Sequence, residues 1–290
     1  METPVLFLIF NRPLQTARVF DEIKKVKPSR LFIAADGPRE SNQNDAEMCS
    51  ETRRIVGDID WSCEVKTLFR QKNLGCKIAV SQGLDWFFQN VGEGIILEDD
   101  CLPDASFFPF CVEMLRTYRE DERVMIISGP NFGTSRDIGR SYFFSKYPKL
   151  WGWATWKRVW EKYDVNMSSW LLETNKKTIK RAVGNSYWKE KKWLYDQLFS
   201  GKKDTWDYQL EYVALLHNGL TVVPGVNLIQ NIGFGSDATH TSKENPEMSI
   251  DRRSLKFPLF HPDRVELNKK YDKRQKQRTS VIKRILKKLL

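Results

Sequence analysis

Within the first hundred residues, short apolar runs alternate four times with stretches of helical periodicity, and this alternation restricts the fold more than any other feature. Residues 4–10 are apolar on both faces, as a central parallel strand requires. Asn11-Arg12-Pro13 follows, with Pro13 suited to the first turn of a helix. Leu14, Ala17, Phe20, Ile23 and Val26 then recur at helical spacing. Leu31–Ala35 reads as a second strand that ends in Asp36-Gly37. A helix over about 45–57 leads to a third strand at 64–69. The loop 70–75 opens an amphipathic helix, Ile78–Phe88, and Ile95–Leu97 is a fourth strand bracketed by Gly94 and Pro103. Right-handed crossovers make this a mostly parallel α/β sheet with helices on both faces.

The remaining chain continues the pattern less regularly. A helix is expected from Asp104 to about Glu120, then a strand at 124–128 and an extended segment at 141–146. An aromatic cluster runs from Tyr147 to Trp156, and Trp156 and Trp160, four apart, read as core. Helices fill 174–200, Thr205–His217 reads as a helix with Asp204 at its N-cap, and 220–231 holds one or two strands. A Gly-, Ser- and Thr-rich loop, 233–244, carries Gly233, Gly235 and His240. The expected division is 1–128 and 129–245 as two halves of one domain. Residues 246–290 form a C-terminal extension.

Hydrophobic residues make up 41% and charged residues 29%, the balance of a soluble globular protein. No apolar run approaches the ~20 residues of a spanning helix, and the run Val5–Phe10 is too short for a secretory signal core. Five scattered cysteines argue against a disulfide framework and for a reducing compartment, with the cytoplasm expected. The net charge of +10 is uneven. Residues 268–290 hold ten basic side chains against one acid, +9, which leaves +1 on residues 1–267. The body therefore offers no general field for nucleic acid, and none is expected as a partner. In the tail, Val281, Ile282, Ile285, Leu286, Leu289 and Leu290 alternate with cations at helical spacing. That is the pattern of a helix lying on an anionic membrane, peripheral on its inner face. A solvated tail without a specific partner is the alternative.

Glu98-Asp99-Asp100 follows the fourth strand directly. Adjacent carboxylates repel, and burial sharpens that repulsion unless a cation or proton offsets it. An acidic triplet in isolation is a solvated turn; at the carboxyl end of a buried parallel strand it lies where open α/β sheets bind ligands. Neither G-x-G-x-x-G nor a Walker-A loop is present, so a glycine cradle does not hold a nucleotide here. Carboxylate-held divalent metal is the other common answer to pyrophosphate charge.

Four segments in order resemble GT-A-fold nucleotide-sugar glycosyltransferases, nearest to bacterial family-2-like sugar transferases and eukaryotic N-acetylglucosaminyltransferase I. They are Pro4–Arg12, Ile96–Asp100, Leu150–Trp153 and Trp206-Asp207. The resemblance spans about residues 4–240 and implies a Rossmann-like sheet in which 1–128 would be the nucleotide-sugar-binding half and 129–245 the acceptor-binding half. It implies metal-dependent transfer of a hexosyl or N-acetylhexosaminyl group to an acceptor hydroxyl, with inversion. The donor would be a nucleotide diphosphate sugar (UDP-sugar favoured), the cofactor Mn²⁺ or Mg²⁺, and the acceptor a glycan or a lipid-linked molecule of cell-surface polysaccharide synthesis. Carried over by residue, Asp100 would bind metal, Asp99 would face the ribose and Glu98 the donor sugar. Asn11, Arg12 and Asp36 would bind the nucleoside, and Lys77 the base or phosphate, unless Lys77 is only an exposed first-turn lysine. Asp207 would be the general base, although a carboxylate in a first helical turn also favours the macrodipole. Glu211, one turn on, is the reserve base. Trp151, Gly152 and Trp153 would line the sugar or acceptor pocket. The rivals are a sugar-1-phosphate nucleotidyltransferase and a non-catalytic adaptor that binds membrane or nucleic acid through its tail.

Overall fold

The computed structural model describes residues 1–132, 139–233 and 250–277. β1 (Val5–Ile9) leads through α1 (Pro13–Val26), β2 (Arg30–Ala35), α2 (Asp45–Ile55), β3 (Glu64–Phe69) and α3 (Cys76–Asn90) to β4 (Glu93–Glu98). Then come β5 (Cys101–Pro103), α4 (Phe107–Thr117), β6 (Val124–Ser128), β7 (Tyr142–Ser145), β8 (Trp153–Trp156) and α5 (Lys157–Trp160). The described order closes with α6 (Glu173–Val183), α7 (Asn185–Phe199), α8 (Asp207–Leu216), β9 (Leu220–Pro224) and β10 (Ile229–Asn231).

Eight strands form one sheet in the order β3-β2-β1-β4-β8-β6-β9-β7. β8 and β7 run antiparallel to their neighbours and the other strands share one direction, so the mixed α/β sheet is mostly parallel, as expected. All five residues of β1 are buried, because helices cover both faces of this central strand. Phe7 of β1 stacks on Phe20 of α1 at 6.3 Å, where the apolar stripe beginning after Pro13 meets the sheet. β3 is the edge strand; its alternating Glu64 and Lys66 are charges that discourage further pairing.

Both halves of the chain enter this one sheet. β8, from the second half, lies between β4 and β6 of the first. A separate two-stranded ribbon pairs β10 with β5, setting Asn231 opposite Cys101 and drawing the chain after β10 over Asp100. The extension also packs back. Arg252 binds Glu22 and the Pro103 carbonyl, and the Leu255 N–H donates to Ser106 Oγ. Asp272 accepts from Ser145 Oγ at 2.7 Å.

Two helix starts differ from expectation. α8 begins at Asp207, not Thr205, and Asp204 does not cap it. Asp204 Oδ1 instead accepts the Lys77 N–H at 3.1 Å, closing the first turn of α3, a long-range cap that local spacing does not reveal. α4 begins at Phe107, with the Asp104 carboxylate folded onto Ser106 N and Oγ. Among the described residues, no helix is long and apolar enough to cross a membrane.

Candidate active site

The strand order reverses direction between β1 and β4, and open α/β sheets bind ligands outside the carboxyl ends of strands at such a point. Here the carboxyl end of β1 leads to Arg12, that of β2 to Asp36, and that of β4 to Glu98, Asp99 and Asp100. These residues border a cleft of about 900 Å³. Because β8 is antiparallel to β4, its first residues return to the same rim, and Trp151 lines the cleft from there. The amino end of α8 closes the opposite wall with Thr205, Trp206 and Asp207.

Arg12 spans the switch point. Its Nη1 lies 3.2 Å from Asp99 Oδ1 and 2.9 Å from Asp100 Oδ2. Asp99 Oδ2 also accepts the Phe10 N–H at 3.0 Å, which stitches β1 to the turn after β4. Burial pushes the Asp99 carboxyl up to about 6, against the opposing pull of Arg12. The Glu98 carboxylate has no hydrogen-bond partner among the described residues. Burial, then the charges of Asp100, Asp99 and Asp207, hold its carboxyl well above the ordinary range. The Cys76 thiol is raised by burial and by nearby carboxylates, Glu98 first among them.

Three carboxyl groups face one guanidinium at the strand end, and the raised Glu98 and Asp99 carboxyls mark an oxygen-donor set short of positive charge. That composition fits a hard divalent cation. Among the described residues no three His, Cys, Asp or Glu side chains converge into a complete metal centre. The fit is therefore to an ion that takes one or two protein carboxylates and completes its shell with phosphate oxygens and water. Asp100, the last of the three acids, lines the cleft. Its Oδ2 faces Arg12, and a Cβ on Gly233 would collide with its carboxylate, so only glycine lets the chain after β10 pass this close.

Asp207 sits at the first position of α8. Its Oδ1 accepts Thr205 Oγ1 and, at 2.9 Å, the Tyr208 N–H; Oδ2 has no hydrogen-bond partner among the described residues. Burial raises its carboxyl, and those two donors only partly offset the rise. Trp206 precedes it, stacked on Trp153 at 5.7 Å and with its carbonyl accepting the Tyr163 hydroxyl at 3.0 Å. Glu211, the reserve base, also lines the cleft but is engaged by Lys191 Nζ and by the Tyr195 hydroxyl at 2.9 Å. Burial pulls the Lys191 ammonium down, and the Glu211 charge more than reverses this.

Other expected positions fall elsewhere. Asp36 lines the cleft, but its carboxylate is spent on the loop before α3: Leu74 N, Gly75 N and Asn73 Nδ2 all donate to it at 3.0–3.1 Å. Asn11 and Lys77 do not line the cleft. The Asn11 amide donates to Asp45 Oδ1 at 2.8 Å, while Arg39 clamps the same carboxylate, so Asn11 steadies Arg39 rather than facing a ligand. Gly152 and Trp153 are likewise not cleft residues. Trp153 is fully buried on β8, and a Cβ at Gly152 would lie 2.5 Å from Ile229 Cδ1. An extended chain would keep Trp151 and Trp153 on one face, but Gly152 at φ +60° interrupts that alternation and the two indoles part. Gly235 and His240 lie outside the described residues.

Sequence reasoning passed over Arg39, Arg70, Lys149 and Lys203, all of which line the cleft. A signal for the first two existed. Each of the first three strands is followed within a few residues by an arginine: Arg12 after β1, Arg39 after β2 and Arg70 after β3.

No protein-family model matches the chain, and no curated protein does. Solved structures show likeness at low scores. One is 4-diphosphocytidyl-2C-methyl-D-erythritol synthase from Anaerococcus prevotii, with 8% identity, TM-score 0.36, and 56% of this chain and 74% of that one covered. A second is UDP-glucose pyrophosphorylase complexed with UDP-glucose, with 11% identity, TM-score 0.33, and 56% and 79% covered. A third is the galactosyltransferase LgtC with donor and acceptor sugar analogues, with 14% identity, TM-score 0.33, and 57% and 62% covered. Scores this low assign neither a family nor an activity.

Proposed function

We propose that the chain is a divalent-metal-dependent glycosyltransferase. It would move a hexosyl or N-acetylhexosaminyl group from a nucleotide diphosphate sugar, UDP-sugars first, to an acceptor hydroxyl with inversion. The supporting observation is the pairing of an undercompensated acidic triplet at the strand switch point with a second carboxylate, Asp207, on the opposite wall. Mn²⁺ or Mg²⁺ would be held by Asp100 and would neutralise charge on the departing nucleoside diphosphate.

The chain's own residues divide the remaining work. Arg12 holds Asp99 and Asp100 in register and supplies the only cation hydrogen-bonded to the triplet among the described residues. The rim of Asp36, Arg39 and Arg70 is the nucleoside end, and Glu98 faces the donor sugar. Asp207 takes the acceptor proton on its Oδ2, with Oδ1 fixed by Thr205 and Tyr208. Trp151 borders the acceptor side. The basic segment 268–290 is proposed to keep the protein at an anionic membrane, on its cytoplasmic side, near a glycan or lipid-linked acceptor.

The same buried base argues against nucleotidyl transfer. A sugar-1-phosphate attacks through an oxygen already ionised at neutral pH and needs no base, whereas an acceptor hydroxyl does. The test is a panel of UDP-, dTDP-, GDP- and CDP-sugars with Mn²⁺, Mg²⁺ or chelator. Metal-dependent release of nucleoside diphosphate supports the proposal. Pyrophosphate release from a nucleoside triphosphate and a sugar phosphate, or no metal-dependent response to any donor, overturns it.

A further inference from the structure

The lobe formed by α6 and α7 is charged and apolar at once. Residues 173–203 hold nine basic side chains against three acids, +6; with +9 on 268–290, the rest of the chain carries −5 of the total +10. Within and beside this basic lobe, Leu171, Leu172, Trp193 and Phe199 are exposed at 62%, 56%, 53% and 39%. On α7, Lys189, Lys192, Trp193, Asp196 and Phe199 recur every three or four residues and form one stripe. Trp170, the residue before Leu171, donates its indole N–H to Asp196 Oδ1 at 3.0 Å, and Lys192 pairs with the other oxygen at 2.7 Å. The two leucines are thereby fastened beside the middle of that stripe.

Two further contacts orient the lobe. Lys203, which lines the cleft, rests over the Trp193 ring at 5.6 Å, so the stripe borders the cleft mouth. The helical segment 269–277 is tied to the other end of α6, where Lys276 Nζ donates to the Val183 carbonyl at 2.6 Å. The last described residues therefore lie beside the basic lobe.

We propose that this face, from the Ser168–Leu172 turn through α7, is a second membrane contact that seats the cleft mouth on an anionic bilayer. Leu171, Leu172, Trp193 and Phe199 enter the headgroup region, and the lysines around them meet lipid phosphates and carboxylates. Aliphatic leucines on a basic face suit acyl chains; they have no stacking surface for nucleic-acid bases. The inference deepens the proposed function by placing the acceptor hydroxyl at the lipid surface, and it rests on that reading only for the acceptor's identity.

Co-sedimentation of the full chain with phosphatidylcholine vesicles, with and without phosphatidylserine, tests it. Binding should require phosphatidylserine and weaken with salt. Leu171→Ser/Leu172→Ser should weaken it by about tenfold, and Lys189→Glu/Lys192→Gln by a similar factor. Position 172 is the N-cap of α6, where serine is favourable, so the first variant keeps its fold; unchanged thermal unfolding checks this. A chain with Lys283, Arg284, Lys287 and Lys288 all changed to Gln should keep part of its salt-sensitive binding. Parent-like binding by both lobe variants, complete loss on neutralising the tail alone, or equal affinity for RNA overturns the proposal. Nucleotide-sugar binding with Mn²⁺ is read in parallel without vesicles. Its absence from the parent would count against the proposed function and leave the membrane result standing.

Discussion

Arg12 Nη1 stands 2.9 Å from Asp100 Oδ2, so a side chain from the turn after β1 neutralises a carboxylate from the turn after β4 across the switch point. The two positions are far apart in sequence and adjacent in the sheet because β1 and β4 pair directly, Leu8 opposite Glu98. Arg12→Met removes this counter-charge from a desolvated pair of acids. We expect a stability loss of about 3 kcal/mol without metal. Part of it should return with Mn²⁺, and Mn²⁺ binding in the absence of nucleotide should tighten. Denaturant titration with and without Mn²⁺ measures both; no metal-dependent recovery would show that Arg12 and the ion do not share the carboxylates.

Asp207→Asn should lower the transfer rate by about 10²-fold or more while leaving donor affinity within a few fold. The pH profile carries a sign. A base works only when ionised, and burial raises the Asp207 carboxyl above its ordinary value, so the rate should fall as pH drops through that raised value and level off above it. In stability the same shift acts oppositely: the folded state holds this proton more tightly, a contribution present below the unfolded pKa and lost as pH rises through the folded one. A rate flat with pH in the acidic range, or Asp207→Asn at parental speed, would remove Asp207 from the chemistry.

Lys191 and Glu211 form a buried pair at the α8 wall of the cleft, flanked by Tyr187 and Tyr195 rings at 5.2 and 5.9 Å from the ammonium. Lys191→Met alone should cost about 3–5 kcal/mol, because it strands the Glu211 charge. Lys191→Met/Glu211→Leu should recover most of that. Urea denaturation of the three proteins gives the answer; additive losses would mean that the two side chains are not coupled.

Much of the architecture was readable locally, and the reasons are particular. β3 and β6 fall where their apolar runs are bracketed by polar turns, and α1 starts at Pro13 as a proline-led helix should. The central carboxylates were legible because three acids released directly from a buried strand stay close to its low-dielectric end, where their mutual repulsion calls for a cation. What was not legible depends on long-range pairing. Nothing near Trp153 says that β8 inserts antiparallel between β4 and β6, which turns an expected sugar-binding tryptophan into the support for Trp206. Asp204 likewise caps a helix more than a hundred residues upstream. Asp36 looked like a free ligand, yet the loop 73–75 consumes its oxygens.

Asp36→Ala orphans the Leu74 and Gly75 N–H groups and leaves the Asn73 amide only the Gly37 carbonyl as acceptor. It should destabilise the fold by about 2 kcal/mol and weaken nucleotide binding through loss of the loop's shape rather than of a contact. Faster amide exchange at 73–76 than in the parent is the expected mark. Weakened binding with parental exchange would instead give Asp36 a direct role.

The metal-and-donor assignment of Asp100 is tested most directly by calorimetric titration of UDP into the full chain and into Asp100→Asn, each with Mn²⁺ and with chelator. Mn²⁺ is expected to tighten UDP binding to the parent by at least about tenfold and to have little effect on the variant. Equal gains from Mn²⁺ in both proteins, or none in the parent, would contradict it.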